Sequence, residues 1–98
     1  MYEEIQELYE YCQSIGLEVT LQPSHDGYKI CFNNGSDIVQ HKYSYRSDEG
    51  YVEPAIGSRA DYMGVPLKNA KAIVKYHKDR LNKKGKKKWR HFYLLLVL

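Results

Sequence analysis

The sequence predicts a two-layer α+β domain, and three observations predict it. Apolar residues recur at helical spacing at both ends of the first 82 residues, they alternate at strand spacing in between, and the connections are too short for parallel crossovers. A chain of 98 residues suits one such domain, residues 1–85, followed by a basic and apolar C-terminal tail, residues 86–98.

The first helix is expected over residues 2–15, where Ile5, Leu8, Cys12 and Ile15, with Tyr9 beside them, form one apolar face. Glu3 and Glu4 complement the positive end of its dipole, and Gly16 stands where a left-handed cap would end it. The period then changes to two. Leu17, Val19 and Leu21 alternate in a first strand, "PSHDG" turns the chain, and Tyr28, Ile30 and Phe32 alternate in a second. After "NNGSD", Val39, His41, Tyr43 and Tyr45 alternate in a third. "RSDEG" leads to a short fourth strand at 51–53, which Pro54 stops or confines to a sheet edge. Segment 54–66 has two glycines, two prolines and no clear period, so it reads as an ordered loop. Pro66 suits the first turn of a second helix. Leu67, Ala70, Val74, His77 and Leu81, with Ile73, form its apolar stripe, and it ends between Asn82 and Gly85. The expected sheet is an antiparallel meander of three or four strands, with both helices on one face. The other face is open to solvent or to a partner.

Composition narrows the class. Apolar content of 43% supports a core, and the acidic amphipathic start differs from the basic, unbroken apolar start of a secretory signal. A cytoplasmic protein with two free thiols, Cys12 and Cys31, is therefore expected. The terminal YLLLVL is about a third of the roughly 20 apolar residues that a spanning helix needs, so no membrane span is expected.

Charge is strongly polarised. Residues 1–65 carry four bases and eleven acids, and residues 66–98 carry eleven bases and one acid. Such asymmetry points to a surface for nucleic acid or another polyanion, or else to neutralisation of one half by the other within the fold. Lys68, Lys71, Lys75 and Lys78 form a basic ridge on the second helix. Arg80, Lys83, Lys84, Lys86, Lys87, Lys88 and Arg90 extend it, with Trp89 among them, as in surfaces that track phosphates and stack on bases. The alternative for the helix is a solvated face with snorkelling lysine stems.

Other candidates are weaker. Arg59, Asp61 and Tyr62 place anchoring groups in the 54–66 loop, where a local ion pair would serve equally. Tyr43, Tyr45 and Tyr51 cluster near the third and fourth strands, as interface residues or as strand formers. His25, His41, His77 and His91 lie apart in the predicted elements, and neither cysteine has metal-ligand spacing, so no metal and no cofactor is expected. Phosphate-loop, dinucleotide, nucleophile-elbow and HExxH signatures are absent from the sequence. A small hydrolase or nuclease built around His41 and Asp61 is the third-ranked reading.

The α-β-α order, the "VEPAIGSRADY" loop and the "PLKNAKAIVKYHKDRLN" helix resemble small accessory proteins of phages and prophages across residues 17–82. That class includes anti-defence inhibitors such as anti-CRISPR proteins, and the resemblance implies a single-domain protein that binds a host effector without chemistry. The net charge of +3 departs from the acidic, DNA-mimicking type. The expectation is thus a non-enzymatic inhibitor of a host nucleic-acid-handling effector, bound through the effector protein, the nucleoprotein or its RNA. A stand-alone, sequence-nonspecific nucleic-acid binder is the alternative. The closing HFYLLLVL is expected to serve self-association or partner docking, with 83–88 as a solvated hinge.

Overall fold

The computed structural model describes residues 2–57 and 63–83. The element order is α1 (Glu3–Ser14), β1 (Val19–Ser24), β2 (Gly27–Phe32), β3 (Asp37–Gln40), a 3-10 turn (Ser47–Glu49), β4 (Tyr51–Ala55), β5 (Val65–Pro66), α2 (Leu67–Tyr76) and α3 (Lys78–Asn82). The strands form one antiparallel meander in the order β1-β2-β3-β4-β5.

Helix α1 forms where its apolar spacing predicts, burying Ile5, Leu8 and Cys12. Gly16, at φ +88°, ends it: Gly16 N–H donates to Gln13 O at 3.1 Å and Leu17 N–H to Cys12 O at 3.0 Å. This pair of bonds is a Schellman cap, and the accompanying hydrophobic contact is available because Leu17 and Cys12 are both buried in the core. The chain then enters β1, paired with β2 from Val19↔Phe32 to Ser24↔Gly27. His25 takes positive φ (53°) in the intervening turn. Gly27 admits no side chain, since a Cβ there would lie 1.9 Å from the Gln40 carbonyl oxygen of β3.

Register sets the two faces of the sheet. Ile30 faces Ile38 and Ile38 faces Pro54 across β2, β3 and β4, so these side chains share one face with Val52 and Phe32. Both helices pack on that face, and Ile5, Leu8, Ile30, Ile38, Val52, Val74 and Leu81 are buried in a single core. Each such side chain contributes about 1.5–3 kcal/mol relative to exposure. The opposite face carries Lys29, Cys31, Asp37, Val39 and Glu53, all half-buried. No helix among the described residues covers it. The two free cysteines therefore lie on opposite sides of the sheet.

Four expectations need correction. The third strand ends at Gln40, and 41–46 is a chain of turns, because Ser44 bonds both backbone groups of His41 and diverts the chain from the ladder. The fourth strand continues through Pro54 to Ala55. Its neighbour on the outer side, β5, pairs only with Tyr51 and Val52, so Pro54 lies beyond that pairing. The meander has five strands, since Val65 and Pro66 form a two-residue fifth inside the segment expected to be a loop. The second helix divides at His77. His77 N–H still donates to Ile73 O and Leu81 N–H to His77 O, so the path bends rather than breaks.

Candidate functional site

Helices α1 and α2 run side by side in the same direction. Glu7 lies beside Lys71 near their N-terminal halves, and Gly16, just past the end of α1, lies beside Lys78 and Asn82 of α3, which follows α2. This alignment divides the predicted basic ridge. Lys71, half-buried, bonds Glu7 at 2.8 Å, and its Nζ lies 5.5 Å from the centre of the Tyr11 ring. Lys78 reaches over Gly16, where the negative end of the α1 dipole favours a cation. Two of the four ridge lysines thus serve the helix–helix contact, which realises part of the neutralisation between halves.

The other two ridge lysines face water. Lys68 and Lys75 are exposed, as are Arg80 and Lys83 on α3 and just beyond it. Between them stands Tyr76, 84% exposed, whose ring meets His77 edge-on at 4.9 Å. Beside the bend at His77, Tyr76, His77, Asp79, Arg80 and Lys83 line an open depression of about 620 Å³. Arg80 also lies beside Gly57, with its Nη1 3.8 Å from where a Cβ would stand. The surface offers several cations, one carboxylate and an exposed aromatic ring.

Lys84, Lys86, Lys87, Lys88, Trp89 and Arg90, the terminal HFYLLLVL, and the loop residues Arg59, Asp61 and Tyr62 lie outside the described residues.

A second distinctive surface lies at the other end of the helices. In the 41–46 turns, five successive backbone N–H groups are engaged. His41 donates to Ser44 Oγ, Lys42 to Asp26 Oδ1, Tyr43 to His41 Nδ1, Ser44 to His41 O and Tyr45 to Glu53 Oε1. The held segment displays Tyr43, 70% exposed, against the rings of His25 and His41 at 5.0 and 6.2 Å. Asp26 also accepts the Tyr2 hydroxyl at 2.8 Å, and the Lys42 N–H is the main reason its carboxyl lies below the ordinary value. Burial, then His25, hold the His41 imidazole below its ordinary value. On the open sheet face, burial raises the Asp37 carboxyl, opposed by Lys29 and reinforced by Glu53.

Sequence reasoning did not single out Tyr76. An aromatic residue off the apolar stripe of an amphipathic helix was the available signal. The turn was missed because its tyrosines alternate as a strand would, although Ser44 marked a competing side-chain bond.

Among the described residues no group of three or more His, Cys, Asp or Glu gathers as a metal site would require, and no helix is long and apolar enough to cross a membrane. The chain matches no protein-family model, no curated protein and no solved structure.

Proposed function

We propose that this chain is a non-enzymatic interaction protein that inhibits a host nucleic-acid-handling effector, as the anti-CRISPR-like accessory proteins its sequence resembles do, and that it docks on the effector's RNA through the outer side of α2 and α3. The observation that carries this reading is Tyr76, held 84% in water between Lys75 and Arg80. A ring that leaves its own core stripe to stand among cations is suited to stack on an unpaired base while the cations meet the flanking phosphates. The open depression beside it offers a seat for the strand. The basic residues of 84–90 continue the charge in sequence.

Fluorescence anisotropy with a short single-stranded RNA, over a range of salt, tests this reading. Replacing Lys68, Lys75 and Arg80 by Gln should weaken binding and flatten the salt dependence by about 0.7 in logarithmic slope per lost contact. Tyr76→Ala should weaken binding about tenfold and leave the slope unchanged, since stacking releases no counterions. Absence of RNA binding at low salt, or a triple variant that binds like the parent, would overturn the proposal.

A further inference from the structure

The two ends of the helix pair carry opposite charge and are both preformed. At the N-terminal end, Glu3, Glu4, Asp26 and residues 41–53 bring six carboxylates against two cations, Lys42 and Arg46, and Arg46 is already paired with Glu49 and stacked over Tyr51. At the C-terminal end, residues 75–83 bring four cations against Asp79 alone. The 12 residues of α1 separate these ends by about 18 Å.

The N-terminal end is built to display rings. Every N–H from 41 to 45 is held, four of them by side chains, so Tyr43 and the His25–His41 pair are presented with little conformational freedom left to lose on docking. Rigid tyrosines ringed by satisfied polar groups have the composition of a protein contact. The excess of carboxylates disfavours a polyanion here and favours a basic protein surface. Among the described residues, one surface has that charge, a concave form and an aromatic ring of its own: the Tyr76–Arg80–Lys83 depression.

We infer that the aromatic turn of one molecule docks on the basic α2–α3 face of a second copy of this chain. The two surfaces differ, so the contact is heterologous: a docked molecule still has one turn or one basic face to offer, and the association builds a ring or an open chain according to the rotation between copies. It also covers the face assigned above to RNA, so RNA and self-association compete. The inference does not rest on that assignment, because it requires only the two surfaces.

Sedimentation velocity on the full chain tests it. The parent should grow in mean mass with concentration at low salt and return toward monomer at high salt. A turn variant, Tyr43→Ala with Asp48→Lys, and a face variant, Tyr76→Ala with Arg80→Glu, should each remain monomeric alone. Mixed in equal amounts they should form a one-to-one dimer that grows no further, since each supplies the surface the other lacks. A parent that stays monomeric at low salt, a variant that still assembles alone, or a mixture that stays monomeric overturns the inference. Thermal melts of both variants confirm folding first, and a variant that fails to fold is replaced by its single substitution, Asp48→Lys or Arg80→Glu, read in the same way. RNA binding by the turn variant is a separate readout: its loss counts against the RNA assignment, and its retention beside a failed mixture counts against self-association alone.

Discussion

The Gln40 side chain ties β3 to the start of α1: its Oε1 accepts the Ile5 N–H at 2.9 Å. Tyr2, at the N-cap, supplies no side-chain bond, so this contact from a distant strand satisfies one of the helix's open donors. The Gln40 amide nitrogen completes the link by donating to Glu4 Oε1 at 3.0 Å and Ser47 O at 3.1 Å. One fully buried amide thus fixes the helix, the sheet and the 3-10 turn together.

Gln40→Ala should lower stability by about 3 kcal/mol, because the Ile5 N–H and the Ser47 carbonyl each lose a buried partner at about 1–3 kcal/mol. For a domain of this size that is roughly 15 °C in melting temperature. Gln40→Glu should keep the acceptor for Ile5 but lose both donors and set a carboxylate against Glu4, so its defect should shrink as pH falls. Thermal melts followed by circular dichroism measure both. An alanine variant within about 3 °C of the parent would remove Gln40 from this role.

The first helix and the second strand were legible because their spacing is local: Ile5, Leu8 and Cys12, then Tyr28, Ile30 and Phe32, report their own period. Gln40 was not legible, since a glutamine ending a strand reads as a solvent-facing residue until α1 is laid across it. The same holds for Lys71 and Lys78, whose division from Lys68 and Lys75 depends on where α1 lies. The bend at His77 had no glycine or proline to announce it. Two-residue β5 was too short to show any period.

The two thiols should react in sequence. Cys31 is half-exposed on the open sheet face, whereas Cys12 is fully buried, and burial pushes its thiol up to about 12. With a chromogenic disulfide reagent near pH 8, one equivalent should react with the native protein and the second only as the fold opens. Cys31→Ala should remove the fast phase alone. Equal native rates for both thiols would contradict the placement of Cys12 in the core.

His41 should make the aromatic turn sensitive to mild acid. Its Nδ1 accepts the Tyr43 N–H at 3.1 Å, so the closed turn requires the neutral imidazole with its proton on Nε2. Burial comes first, and then His25 at 4.5 Å, in holding its pKa below the ordinary value, while Asp26 and Glu53 oppose the shift. The other charges on this turn are Lys42, with its Nζ over the Tyr43 ring, and Arg46, paired with Glu49. Because the folded value lies below the unfolded value of about 6.5, the unfolded chain takes up the proton first as pH falls. The stabilisation is therefore present above about 6.5 and is lost as pH drops through the folded value. Titration of the histidine ring protons by NMR should find His41 below 6.5, and the Tyr43 amide should lose protection from exchange over the same range. His41→Asn keeps an acceptor near Nδ1 without a titrating ring and should flatten the change in Tyr43 protection. His25→Ala should move the His41 titration upward by removing the like charge beside it. A His41 that titrates at or above 6.5 in the parent would show that the turn does not depend on its neutral ring.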